Sequence, residues 1–187
     1  KHCWDKNLPI GGIPPMEDEP LPPKPENIGS DKDARRAWRK QAARTHFENE
    51  RLKSKRLQVM RVISLAEKFS NDNIYYPMHL DFRTRGYPVP YFLQPSGPSW
   101  AKSLLSFSQG TEVTDGGTMW LYINAANKWG LDKLPYDKRI EWVEGNLNRI
   151  RGAGNDLMSD MFWSDADDPW AFAAACIEIN RLHTEGS

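Results

Sequence analysis

Cysteine is scarce in this sequence: Cys3 and Cys176 are the only two in 187 residues. A disulfide framework needs more, so the pair points to a reducing compartment. His2 and Cys3 are adjacent, yet His46, His79, His183 and Cys176 show no paired ligand spacing, so no zinc site is expected. Net charge is absent too, because 25 Lys and Arg cancel 25 Asp and Glu, and global electrostatics therefore selects no partner. No apolar run approaches the length that spans a bilayer, and the start, KHCWDKNLPI, has no signal-peptide hydrophobic region; we expect no membrane partner and an intracellular location. The first residue is Lys1 rather than methionine, and we expect an excised or partly sequenced piece of a longer polypeptide.

Catalytic constellations are missing as well. TDGGT lacks the lysine and the further glycines of a phosphate-binding loop, and Ser, His and Asp occur without a nucleophile-elbow context. Asp165, Asp167 and Asp168 suggest a divalent-metal cluster, but Pro169 follows them, and an aspartate before a proline is the usual start of a helix. We expect neither catalytic nor metal-binding residues in this chain.

What is present is uneven. Lys32 to Arg61 carries eleven basic residues against three acidic ones, whereas Ala153 to Ser187 carries one arginine against seven acids. Such polarity fits either a polyanion-binding face or attraction between the two segments. Eight tryptophans predict large packed interfaces. The length allows one core, or two small lobes.

The expected fold is mainly α with a small antiparallel β element. Residues 1–29 hold seven prolines and should be an extended segment, either laid on another element or serving as a linker. Ser30 is the expected N-cap of one long helix, or two stacked end to end, over about 31–70, because no Pro or Gly interrupts the chain there. Its apolar stripe is Leu52, Val59, Val62, Ile63, Ala66 and Phe69. Further helices are expected over 98–107, from Thr114 to Trp129, over YDKRIEWVEGNLNRI, and from Pro169 to about His183, the last central to the core. The corresponding division is 1–29 proline-rich segment, 30–72 long helix or helix pair, 73–110 strand or hairpin plus helix, and 111–187 helical.

Two places could meet nucleic acid. In HLDFRTRGYPVP, an extended strand would put Asp81, Arg83, Arg85 and Tyr87 on one face and Leu80, Phe82 and Thr84 on the other, an ionic side backed by one that packs. Guanidinium groups beside a carboxylate suit bidentate phosphate contacts, and a solvated edge strand would read the same way. On the long helix, Lys53 and Arg56 lie three apart and Arg51 and Lys55 four apart. That crowding fits a phosphate backbone or a solvated face.

Taken in order, KHCW…LPPKPENI, RRAWRKQAAR, LKSKRLQVMRVISLAEKFS, YYPMHLDFRTRGYPVPYFLQPSGPSWAKSLLSFSQG, WLYINAANKWGLDKLPYDKRIEWVEGNLNRI and MFWSDADDPWAFAAACIEI resemble the single-subunit, bacteriophage-type DNA-directed RNA polymerases, to which mitochondrial RNA polymerase is related. The resemblance runs over essentially the whole chain. It implies a fragment of a right-hand polymerase fold: thumb helices at 30–72, early palm at 73–110 and a helical palm insertion at 111–187.

The resemblance also implies roles. The family's motif of Asp, aromatic, Arg, Gly, Arg, any residue, Tyr falls on Asp81 to Tyr87 and holds template strand and RNA:DNA hybrid. Arg83 and Arg85 would grip phosphates, Asp81 would orient one of them, and Tyr87 would stack or hydrogen-bond near the template. Lys102 would be another backbone contact, and Lys53, Ser54, Lys55 and Arg56 match a basic cluster that touches the departing hybrid. The motif departs at Thr84, where the family has glycine, with Gly86 following two residues later. The catalytic aspartates and the nucleotide-binding Lys and Tyr of the family lie outside this chain, so the implied Mg²⁺ and NTPs belong to the full-length parent, with no cofactor in this piece and no activity from it alone. Template DNA and RNA:DNA hybrid are the implied partners, no obligate oligomer is expected, and a phage-encoded parent would work in the cytoplasm of an infected bacterium. The alternative is a non-catalytic helical module that binds nucleic acid or protein.

Overall fold

A computed structural model describes residues 1–185, and the chain divides into two compact units, Lys1–Lys68 and a second beginning at Phe69. Seven α-helices, one 3-10 helix and a single two-stranded antiparallel sheet make up the described residues, which is the mainly α architecture expected.

The first unit is a short helix, α1 (His2–Asp5), an extended segment, and α2 (Lys32–Lys68), one continuous helix of 37 residues. Its start is set by Asp31 rather than Ser30: Asp31 Oδ1 accepts the backbone N–H of Asp33 at 2.8 Å and of Ala34 at 3.1 Å. Those are two of the amides that a helix N-terminus leaves unpaired. The Ser30 hydroxyl instead bonds back to the Asn27 carbonyl.

The proline-rich segment runs antiparallel along α2. Its unpaired carbonyls find side-chain donors on the helix in reverse order: Pro15 and Glu17 at Arg56, Glu19 at Asn49, Pro22 at Trp38, Ile28 and Gly29 at Arg35. Lys1 closes the far end on Glu67 at 2.8 Å. Proline withholds its own amide, so such a strap cannot form a ladder and is held by side chains instead. Cys3, Pro14, Ala42, Val59 and Val62 are buried in this unit.

In the second unit β1 (Met78–Leu80) pairs with β2 (Gly86–Pro88). The helices α3 (Ser99–Lys102), α4 (Asp115–Trp129), α5 (Tyr136–Gly145), α6 (Leu147–Asn155), a 3-10 helix at Met161–Asp165 and α7 (Pro169–Glu185) follow. Two expectations are corrected. The helix over 98–107 is a single turn, since Leu104 and Phe107 beyond it are 50% and 97% exposed and gain no packing that would sustain it. The run from Tyr136 to Ile150 is two helices, broken where Asn146 turns its side-chain amide onto the Trp142 carbonyl at 2.8 Å and competes with the helix bonding.

Helix α7 is central, as its apolar circumference predicts, and packs against α3, α4, α6 and the 3-10 helix. Phe172, Cys176 and Ile179 on it are fully buried with Trp163, Ile150 and Val143. Trp129 lies 5.1 Å from Trp142, 5.6 Å from Phe162 and 5.2 Å from Phe172, ring centre to ring centre. Asp168 precedes Pro169, the first residue of α7, and its carboxylate receives the Ser99 hydroxyl and lies 3.5 Å from Lys128 Nζ, tying α3 and α4 to the start of α7. Gly130 ends α4 at φ 114°, and a Cβ there would sit 2.7 Å from the Asp167 carboxylate; only glycine meets both demands. No described helix is long and apolar enough to cross a membrane.

Candidate nucleic-acid interface

Residues 81–85 are not strand but the loop that closes the hairpin, and the alternating faces expected for this stretch do not exist as drawn. The Thr84 amide donates to the Asp81 carbonyl at 3.0 Å, and the Asp81 amide to the Arg85 carbonyl at 3.0 Å. Three residues, Phe82, Arg83 and Thr84, thus make the turn, with Thr84 at φ 62°. A tight turn followed by one left-handed residue is a common three-residue hairpin connection, and its left-handed position favours glycine. That position is where the resembled motif carries glycine. The glycine has not shifted to residue 86: Gly86 pairs with Leu80 in β2, and a Cβ on it would meet nothing closer than Met78 Cε at 3.4 Å. The turn is therefore in its expected place with a β-branched residue in it.

Asp81 works on the backbone. Its Oδ1 accepts the Arg83 amide at 2.8 Å and the Arg85 amide at 3.0 Å, and Oδ2 lies 3.4 Å from the Tyr87 hydroxyl. Orientation of an arginine by Asp81, as first expected, is thus replaced by orientation of the loop that carries both. Arg83 and Arg85 are exposed and have no carboxylate partner among the described residues; the Arg83 guanidinium stacks over Phe82 at 4.9 Å. Leu80 and Phe82, expected to pack, are 69% and 89% exposed. The result is two unneutralised guanidinium groups on a loop whose shape is held by a carboxylate.

The other expected residues separate. A helix turns about 100° per residue, so Lys53, Ser54, Lys55 and Arg56 form a collar around α2 and not one stripe. Arg56 is turned inward: Nε reaches the Pro15 carbonyl at 2.7 Å, Nη2 the Glu17 carbonyl at 2.6 Å and Nη1 the Asp18 carboxylate at 2.6 Å. Its donors are consumed by the strap, and it does not belong to a free cationic surface. Lys53 is exposed with a loose 3.9 Å approach to Glu50, Ser54 bonds to the Glu50 carbonyl, and Lys55 is exposed. Lys102 is exposed at the end of α3.

Arg36, Lys40 and Arg44, outside the expected set, recur every four residues and so share one face of α2, followed at the next turn by Phe47 at 68% exposure. All three cations are exposed without an acidic partner among the described residues. The spacing was legible; the absence of interleaved acids was the signal. Among the described residues no three His, Cys, Asp or Glu side chains are grouped to hold a metal ion.

A family profile described as DNA-dependent RNA polymerase matches residues 111–186. The chain is 35% identical to a DNA-directed RNA polymerase of Enterobacteria phage K11 and 35% identical to T7 RNA polymerase of Escherichia phage T7, each over 100% of this chain and 20% of that protein. It is 30% identical to a mitochondrial DNA-directed RNA polymerase of Neurospora crassa over 94% of this chain and 12% of that protein. The chain thus spans about a fifth or less of the length of these relatives.

Proposed function

Because the chain belongs to the phage-type single-subunit RNA polymerase family, we propose that it forms the part of such an enzyme that grips template DNA and the RNA:DNA hybrid during template-directed nucleotidyl transfer. The observation that carries this reading is the loop at 81–85, where the one nearby carboxylate is spent on backbone amides and both guanidinium groups are left for an outside anion. Phosphate contacts of this kind are blind to sequence, which is what an enzyme advancing along any template requires. Tyr87 and Lys102 would extend the grip, and on α2 Lys53, Ser54 and Lys55, with Arg36, Lys40 and Arg44, would line the hybrid. On this reading residues 30–72 belong to the thumb with 1–29 as its strap, 73–110 to the early palm and 111–187 to a palm insertion.

Mg²⁺ and NTPs would be partners of the whole enzyme. The carboxylates of this chain do not fit a two-metal centre: Asp81 and Asp168 are engaged internally, and among the described residues no three acidic or ligating side chains converge. A phage-encoded parent would act inside its bacterial host.

The test is replacement of Arg83 and Arg85 by alanine in the full-length polymerase. Hybrid retention should fall, and the dependence of log affinity on log salt should flatten by about one unit per lost contact. An unchanged salt slope would make both arginines surface decoration.

A further inference from the structure

His79 faces the same side of the hairpin as Asp81, Arg85 and Tyr87. It pairs directly with Tyr87 across the two strands, and the two rings stack at 5.8 Å between centroids and 28° between planes. Carrying the register one step further sets Asp81 opposite Arg85, so the groups facing the imidazole are the Tyr87 phenol, the Asp81 carboxylate and the Arg85 side chain. The Tyr87 hydroxyl at 3.4 Å from Asp81 Oδ2 agrees with that placement. β1 is exposed along its whole length, and beyond its ladder bonding to Tyr87 the His79 side chain has no hydrogen bond or ion pair among the described residues.

We propose that His79 is a further phosphodiester contact at this hairpin, one that adds a positive charge to the Arg83 and Arg85 grip when its imidazole is protonated. The inference rests on reading the loop as a phosphate grip. A ring stacked on one face keeps its nitrogen edges toward solvent, and a protonated imidazole offers two N–H donors, suited to non-bridging phosphate oxygens. An imidazolium binds phosphate more strongly than a neutral imidazole, so a pH-dependent affinity supplied by His79 is the signature of such a contact. A cross-strand pair that merely staples the hairpin would alter binding equally at every pH.

The experiment measures the affinity of the full-length polymerase for a preassembled RNA:DNA hybrid between about 50 and 200 mM salt, at about pH 6 and about pH 8. Wild type is compared with His79→Phe, which keeps the stack and loses the charge, with His79→Gln, and with the Arg83→Ala, Arg85→Ala pair. In wild type the log–log salt slope should be steeper at the lower pH by about one unit, or roughly fourfold more affinity lost across that salt range. Both His79 variants should show one slope at both pH values. A His79 variant that keeps the wild-type pH difference overturns the proposal. The arginine pair should lose about two units at both pH values and keep the pH difference; if it loses nothing, the grip itself is refuted separately. Repeating the series on template strand alone identifies the strand: a pH-dependent slope there assigns the phosphate to DNA, and its appearance only with the hybrid assigns it to RNA.

Discussion

Arg56 and Asp18, 38 residues apart in sequence, meet at 2.6 Å, and the same guanidinium holds the Pro15 and Glu17 carbonyls. The arginine, 16% exposed, closes the strap over α2, while its acid partner is 60% exposed. Most of the fastening therefore lies in the two carbonyl bonds, because an exposed carboxylate is largely screened. Replacing Arg56 by alanine should lower the unfolding free energy of this unit by about 2 kcal/mol and open residues 8–29 to protease. Asp18→Ala should cost under about 1 kcal/mol and leave the strap protected. Arg56→Lys should resemble alanine, since one ammonium cannot span three acceptors set in a fork. Urea titration and limited proteolysis read both effects, and a strap equally protected in Arg56→Ala would show that its hold lies elsewhere.

The hairpin loop separates charge from shape. If Asp81 acts by accepting two amides, an asparagine in its place retains an acceptor and an alanine does not. If the loop grips the hybrid as proposed, Asp81→Asn should keep hybrid affinity within about threefold, and Asp81→Ala should lose about tenfold or more, which is the weight of one or two hydrogen bonds. Equal losses in both variants would restore a charge-based role. Thr84 sits at φ 62°, where a β-branched residue is strained by about 1 kcal/mol or more. Thr84→Gly should relieve that strain, and slower amide exchange at Arg85 and slower hybrid dissociation are the expected readouts.

Pro169 with the apolar run after it placed α7 and its central position, and the unbroken stretch from Lys32 placed α2, because local pattern and packing agree there. The strand alternation drawn through Asp81, Arg83 and Arg85 failed because a left-handed residue and an aspartate cap bend the chain back, and no glycine stood at the bend to signal it. Arg56 looked like its neighbours Lys53 and Lys55; what distinguishes it is a strap 38 residues upstream, a non-local contact that no window on the helix contains. Family resemblance pointed to the candidate residues, and only the coordinates showed which of their charges are already taken.

Gly154 and Gly152 make a paired test of how closely α6 approaches α7. A Cβ on Gly154 would overlap the Cys176 carbonyl oxygen and fall 2.7 Å from Asn180 Cβ, while one on Gly152 meets nothing within 4 Å. Gly154→Ala must push the helices apart and should cost about 2–3 kcal/mol. Gly152→Ala, in the same helix, should gain up to about 1 kcal/mol from helix propensity. Chemical denaturation midpoints that move in the same direction would contradict this contact.

Cys176 gives the second unit an alkaline limit. Burial pushes its thiol from an ordinary 9.0 up to about 12, because a thiolate has no solvation inside the core. The folded chain then keeps a proton that the unfolded chain releases, so this contribution to stability is whole below about pH 9 and declines from there toward about pH 12. The decline approaches about 1.4 kcal/mol per pH unit within that window. Cys176→Ala removes the titrating group, and although it shifts absolute stability by leaving a small void, the difference between wild type and variant isolates the slope from tyrosine and lysine titration. Urea titrations at about pH 8, 9.5 and 10.5 should show wild type losing stability faster than the variant, with native Cys176 unreactive to thiol reagents at the lowest of these. Parallel curves would mean that the thiol ionises in the folded chain as it does in the unfolded one, and that water reaches the core beside α6.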